Sequence, residues 1–281
     1  MSSGYIQVGA YSALNGVHGI EGWRWLYIIC FSCTIPIAAI GFTFLPGTPD
    51  HPSGRFLTGS ENELAQARMA SEKRQASRPL NLPVIKQVLR GWHFWILVIF
   101  AFFFSQADGV SSNSGLSLWL KARGNSVESI NTITTVSPAV TIVTSIIWRR
   151  SSGVALIAVT AGLNIFASVI LAIWDVPDGL KYFAFFLSGT ADAIAAIIYA
   201  WTNEICAGDT EERAVVISSM NTVGNTFGAW LPLFVWKTVD APRYLIGYNW
   251  TIALDVCMLG MLFVLRHFWN REKGQARLSQ I

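Results

Sequence analysis

The chain has 281 residues, 52% of them hydrophobic and 13% charged, with a formal net charge of +3. A soluble domain carries about 25% charged residues because its surface faces water. This composition therefore excludes an ordinary soluble fold, and the small positive balance excludes a nucleic-acid binder. No Walker-type phosphate loop is present, so nothing argues for an ATP-driven pump, and no paired Cys or His spacing of zinc type occurs.

A helix needs about 20 mostly apolar residues to cross a bilayer. Met1 to Gly19 reads as the end of a spanning helix whose beginning is missing. The first full run is Trp25–Leu45, with Pro36 inside it. A polar stretch follows from Pro46 to Arg90, in which Ser60-Glu-Asn-Glu63 predicts a capped, amphipathic surface helix. Six more spans follow: Trp92 to about Leu120, Ile130–Trp148, Gly153–Trp174, Leu180–Asn203, Val215–Val235 and Asn249–Phe268. That makes seven full spans and one partial one. The runs are too long and too uniformly apolar for a strand barrel. Internal Pro and Gly are tolerated in a helix bundle, where neighbours satisfy the freed backbone groups.

With the Pro46–Arg90 linker in the cytoplasm, 14 Lys and Arg fall on the cytoplasmic side and six outside. Basic residues concentrate on the cytoplasmic side of membrane proteins, so the C-terminal tail is expected there too. The four cysteines, Cys30, Cys33, Cys206 and Cys257, read as small buried hydrophobes. His18, His51, His93 and His267 are scattered in loops and helix ends, and neither HExxH nor a Ser–His pairing occurs. These observations argue against an enzyme, and no cofactor-binding pattern is present.

Three stretches, "GWRWLYII", "TIPIAAIGFTFLPGTPD" and "RFLTGSENELAQARM", resemble the sixth helix and central loop of major facilitator transporters of the fungal anion:cation symporter branch. "LSLWLKARG" and the long stretch from Asn203 to Trp250 resemble the pantothenate permeases of that branch. The resemblance runs from about Gly4 to Lys273. It implies an all-α polytopic membrane bundle of major facilitator type, entered within its fifth helix. Residues 1–45 are then the remnant of the N-terminal half, 46–91 the cytoplasmic linker, 92–268 a complete six-helix C-terminal half and 269–281 the tail. The activity that the resemblance implies is proton-coupled symport of a small organic anion, pantothenate, in the plasma membrane. Allantoate, nicotinate and biotin are alternative substrates, and a non-transporting fragment is the alternative class. The partners implied are a small carboxylate, protons and the lipid bilayer. The chain departs from the branch in lacking the earlier helices and in a short connection after Trp148.

Charged groups inside spans are costly and are functional hypotheses by default. Asp108, Asp192 and Asp255 fall well inside. Asp192 shares a helical stripe with Ala196, Tyr199 and Asn203. It reads either as the proton carrier or as a structural helix–helix hydrogen bond. Asp108 shares a face with Ser105, Ser112 and Gly115 where its span turns polar, and Asn113 can donate to and accept from a substrate. Half-broken helices of this kind hold substrates in transporters, although an outer vestibule would also account for the polarity. Asn221 and Asn225 cluster with Gly224 and Gly228 as cavity residues or as a helix-packing seam. Asp255 lies on a face with Thr251 and Leu259 and reads as structural. Glu204, Glu211, Glu212 and Arg213 read as a cluster at the cytoplasmic edge.

Overall fold

The computed structural model describes residues 2–45, 47–48, 51–52, 58–71, 81–112, 114–147 and 153–278. Two compact units are present, Ser2–Ser77 and Arg78–Ile281.

In the first unit, α1 (Ser2–Leu14) packs on α2 (Gly22–Phe44). Gly22 is the close approach: a Cβ there would lie 3.0 Å from Tyr11 Cα, and its N–H donates to Asn15 Oδ1 at 2.9 Å. The rest of α2 is strongly apolar and outward-facing, with Phe31 and Phe42 largely exposed. A helix satisfies its backbone groups internally, so an apolar exterior of this kind suits lipid. A two-residue antiparallel bridge pairs Gly47–Thr48 with His51–Pro52. α3 (Gly59–Ser71) starts one residue before the expected cap. Thr58, not Ser60, opens it: Glu61 Oε2 accepts from Thr58 N at 2.9 Å and from Thr58 Oγ1 at 2.8 Å. The two bonds from Thr58 hold the Glu61 carboxyl below its ordinary range. Leu64 is 55% exposed, so α3 presents no buried apolar face within the unit.

The second unit begins with α4 (Leu82–Arg90), capped by Asn81, whose side chain accepts from Val84 N. α4 lies in the stretch read as linker, yet it packs on α13 and on α5 (Trp92–Ala107). The α4–α5 corner bends by 73°. Beyond Ala107 the first span is broken, as its polar half predicts. Short helices α6 (Gly109–Ser112) and α7 (Gly115–Ala122) continue it, separated by Ser114 at φ 57°.

The remaining spans follow in order. The second comprises α8 (Val127–Thr134) and α9 (Val136–Ile147), with Pro138 in the first turn of α9, where a missing N–H costs little. The third is α10 (Gly153–Ile173). The fourth comprises α11 (Asp178–Ser188) and α12 (Ala193–Ile205), joined by a turn at 189–192. The fifth comprises α13 (Thr210–Trp230) and α14 (Pro232–Val235), and the last is α15 (Leu245–Leu278).

Among the described residues, five helical segments are long and apolar enough to cross a membrane, or six with the bent α4–α5 pair. The sequence reading expected seven. The one that does not qualify is α13, which is 21 residues long but carries Ser, Thr, Asn and Gly along its length. Its exposed residues include Ser218, Asn221, Thr222, Asn225 and Thr226, with Trp230 at its end. By contrast, α9, α10 and α15 expose Ile146, Phe166 and Phe263. One wall of this unit is therefore polar while the others suit lipid.

Two apolar clusters hold the unit together. The larger joins α5, α10, α12, α13 and α15 through Leu97, Phe100, Ile157, Ile198, Val216 and Met258. The second, around Trp119, Phe185, Trp236 and Tyr248, closes the opposite end. There Arg123 pairs with Asp178 at 2.5 Å and stacks over Trp119. The cysteines divide: Cys206 is buried, whereas Cys30, Cys33 and Cys257 are exposed. The expectation that all four are buried fails for three, because an apolar side chain can face lipid instead of a core.

Candidate functional site

The polar wall leads into a groove of about 600 Å³ between α5, α12, α13 and α14. Its lining includes Gln106, Asp108, Tyr199, Asn221, Asn225 and Trp236. The break in α5 puts Asp108 there, because the residues after Ala107 leave the helix axis. Gly109 permits the turn: a Cβ there would lie 2.7 Å from Trp236 Nε1. Trp236 also lies against Gly247, where a Cβ would stand 2.7 Å from its ring. Two glycines thus seat one indole at the end of the groove.

Tyr199 and the asparagines are arranged in a short chain. Tyr199 OH donates to Asn221 Oδ1 at 3.1 Å. Asn221 Nδ2 donates to Ile217 O at 3.3 Å, and Asn225 Nδ2 to Asn221 O at 2.9 Å. Each asparagine spends an amide hydrogen on its own helix and keeps its remaining capacity for the groove. Gln106, which the sequence reading did not single out, is buried and ties α5 to α13: its Nε2 donates to Gly224 O at 3.2 Å and to Ser105 Oγ at 3.2 Å. Its neighbour Gly224 lets the helices approach closely, since a Cβ there would stand 3.3 Å from the Ser105 side chain. The glycine seam therefore packs helices, and its asparagines line the groove.

The expected stripe on the fourth span does not form one wall of the groove. Asp192 lies at the turn between α11 and α12 and does not line the groove. Its Oδ2 accepts from Thr141 Oγ1 of α9 at 3.3 Å, and the same hydroxyl donates to Gly189 O at 2.6 Å. Asn203 is exposed and donates to Tyr199 O of its own helix at 2.9 Å. Asp192 keeps helical φ and ψ at the cap of α12, so the four positions share one helix, but of them only Tyr199 lines the groove. Likewise Gly115, placed on one face with Asp108, packs instead on Phe185 beyond the break. Asn113 lies outside the described residues.

Asp255 has a more buried place than a peripheral last helix implies. It is fully buried, and its Oδ2 accepts from Asn164 Nδ2 at 2.8 Å. Asn164 Nδ2 also donates to Ala107 O at 3.1 Å, a carbonyl at the broken end of α5. Around this pair, Asn164 Oδ1, Ser168 Oγ, Tyr248 OH, Thr251 Oγ1 and Asp255 Oδ1 are buried without a partner among the described residues. Buried polar atoms in such number are ordinarily satisfied by internal water. The cluster thus ties α10 and α15 to the break that carries Asp108.

A larger cavity of about 870 Å³ lies between α9, α10, α12 and α15, lined mainly by Ala, Val, Leu and Ile, with Glu204 and Arg266 among the few charged groups. It holds none of the expected site residues, and its helices expose apolar side chains, so the smaller groove is the better candidate despite its size. Among the described residues, no Lys or Arg lines that groove.

At the end of the unit opposite the Trp119 cluster, the acidic residues do not stand as a plain surface group. His93 sits between two of the carboxylates: Nδ1 is 2.7 Å from Glu212 Oε1, and Nε2 is 3.0 Å from Glu272 Oε2. Buried Cys206 lies beside them, its thiol pushed up to about 12 by burial first and by the Glu212 charge second.

An all-helical unit with lipid-suited walls, one polar wall and a groove at a broken helix is the architecture of an integral membrane protein. Over 90% and 99% of its length the chain is a homologue of two proteins named as major facilitator transporters, PfmaC of Pestalotiopsis fici and hxnP of Emericella nidulans. It is 34% identical to the pantothenate transporter liz1 of Schizosaccharomyces pombe, covering 100% of this chain and 56% of that protein. It is 32% identical to the pantothenate transporter FEN2 of Saccharomyces cerevisiae, over 97% of this chain and 56% of that one. A vitamin H transporter of Saccharomyces cerevisiae is 26% identical over 99% of this chain and 49% of its own length. The chain thus spans about half the length of the curated relatives it matches. No family model matches the sequence, and no solved structure matches it.

Proposed function

We propose that this chain forms the C-terminal part of a secondary transporter that moves pantothenate, a small carboxylate, together with protons across the plasma membrane. The groove that brings Asp108, Tyr199, Asn221 and Asn225 together carries the reading. An elongated polyhydroxy amide acid offers hydroxyl and amide groups, and asparagines and a tyrosine bind both kinds by donating and accepting. The names of two relatives support the same substrate.

Proton coupling needs a carboxyl group that is protonated on one side and released on the other. Asp108 lines the groove and is the best placed; Asp192 and Asp255 stand behind it in the turn of the fourth span and the buried α10–α15 cluster. Among the described residues, a cation to meet the substrate carboxylate is absent from the groove lining, and the wall facing Asn221 and Asn225 is the place from which one would come. The linker and the C-terminal tail lie in the cytoplasm in this arrangement, as the distribution of Lys and Arg supports.

The test is uptake of labelled pantothenate by yeast cells without their own transporter. The chain is expressed alone and joined in frame to the N-terminal half of the fission-yeast relative. Uptake by the joined protein that rises at acidic external pH and is competed by unlabelled pantothenate, but not by biotin, nicotinate or allantoate, supports the proposal. Competition by one of the others instead moves the substrate. Absence of uptake by a joined protein that reaches the membrane refutes transport.

A further inference from the structure

We propose that His93, Cys206 and Glu212 form a binding site for a divalent transition-metal ion, zinc by its donor set, with Glu272 orienting the histidine. The site lies outside the groove and does not depend on its substrate.

One ligand atom from each of these three residues falls within 4.8 Å of the others. Zinc takes nitrogen at about 2.0–2.1 Å and thiolate sulfur at about 2.3 Å, so its ligands stand roughly 3.3–3.7 Å apart and small side-chain adjustments bring the three into range. The set is mixed nitrogen, sulfur and oxygen, which zinc accepts and which calcium and magnesium, as oxygen binders, do not. Water would complete a tetrahedron.

The histidine gives the independent argument. Each ring nitrogen faces a carboxylate oxygen, Glu212 on one side and Glu272 on the other. A neutral imidazole has one N–H, so it can satisfy only one of them. The other nitrogen takes either a second proton or a metal ion. Metal-bound histidines almost always donate their second N–H to a carboxylate, and Glu272 occupies that position. The nitrogen facing Glu212 is then the one beside the buried Cys206 sulfur. A cation there is also electrostatically fitting. Neutral imidazole, thiolate and carboxylate together balance a dication, and the thiol proton leaves to solvent as the metal–sulfur bond forms.

The four residues come from four places in the chain: the first turn of α5, the turn after α12, the first turn of α13 and the last turns of α15. A bound ion would tie the ends of four helices at one edge of the unit. It would stabilise the packed arrangement by mass action, since the ligands are scattered in the unfolded chain.

The experiment uses the full chain in detergent, carrying a tag without histidine and stripped with a chelator. Zinc content after dialysis is measured, and cobalt(II) absorption is recorded on the same protein. Uptake of one zinc per chain, together with a thiolate-to-cobalt charge-transfer band, supports the site. Loss of that band in C206S and a drop in zinc affinity of about 10–100-fold in E272Q complete the assignment. Folded wild-type protein that retains no zinc, or binds cobalt without the thiolate band, overturns it, and His93 then bridges its carboxylates with a proton. Zinc affinity unchanged in both H93Q and C206S overturns it as well, since the ion is then elsewhere.

Discussion

Asn164 is the residue on which most of the buried polar structure turns. Its amide reaches both Asp255 and the Ala107 carbonyl at the broken end of α5. Asn164→Leu keeps the size and removes both bonds. Leaving buried acceptors unsatisfied costs about 1–3 kcal/mol each, so the variant should unfold at a clearly lower temperature in detergent; an unchanged midpoint would show that water alone satisfies the cluster. At the groove, Asp108→Asn and Asp192→Asn separate two roles. Asp108→Asn is expected to abolish the pH dependence of uptake by the joined protein. Asp192→Asn retains a group that can accept from Thr141 and should leave most of that dependence in place. The reverse pattern would make the α11–α12 turn the proton site. Asp192 headed the sequence reading because helical arithmetic put it in line with Tyr199 and Asn203. Asp108 and Asn221 were also legible as polar groups in apolar runs. Gln106 was not, since a glutamine beside a serine near a helix break gives no signal until Gly224 is seen opposite it.

Helix breaks at 108 and 189–192 shape the second unit more than any regular helix does. At Gly189 a Cβ would fall 2.5 Å from the Ser137 carbonyl oxygen, a backbone atom that cannot swing aside. Gly189→Ala should therefore separate α9 from the α11–α12 turn and cost about 1–3 kcal/mol, the usual range for overpacking. Thermal unfolding of the variant in detergent checks this, and wild-type stability would mean that the turn can move. Gly109→Ala meets the Trp236 side chain instead of backbone. Its expected damage is smaller when Trp236 is shortened, so G109A and W236L should be less than additive in a double-mutant cycle. Both breaks fall in runs rich in Gly and Ser, and the first was readable for that reason. The second was hidden because Ser188-Gly-Thr-Ala-Asp192 interrupts an otherwise continuous apolar pattern for only one turn.

Across the whole second unit, the contrast between polar α13 and its apolar neighbours is the main signal of what surrounds it. A span that exposes Asn and Thr where others expose Ile and Phe faces water or protein, because a polar wall against lipid is unfavourable. Substituting Asn225 with Leu should accordingly impair uptake by the joined protein while leaving insertion intact. An Ile146→Leu change on the lipid-suited face should alter neither uptake nor insertion. The proposed orientation has its own check. An epitope after Ile281 should be reached by antibody only in permeabilised cells, and labelling in intact cells would invert the topology.

From the residues alone came the class: too few charges for a soluble surface, apolar runs of bilayer length, basic residues gathered on one side and motif stretches shared with a transporter branch. These are properties of composition and spacing, which do not depend on distant contacts. The sequence also exposed the broken first span, because glycine and serine act locally. The tertiary structure decided which polar groups meet. It turned Asp192 toward α9, buried Asp255 against Asn164, seated Trp236 between Gly109 and Gly247 and gathered His93, Cys206, Glu212 and Glu272 from four helices. Each of these depends on how bent helices pack against one another. A one-residue change in register turns a side chain by about 100° around its helix, so periodicity in a single span cannot anticipate them.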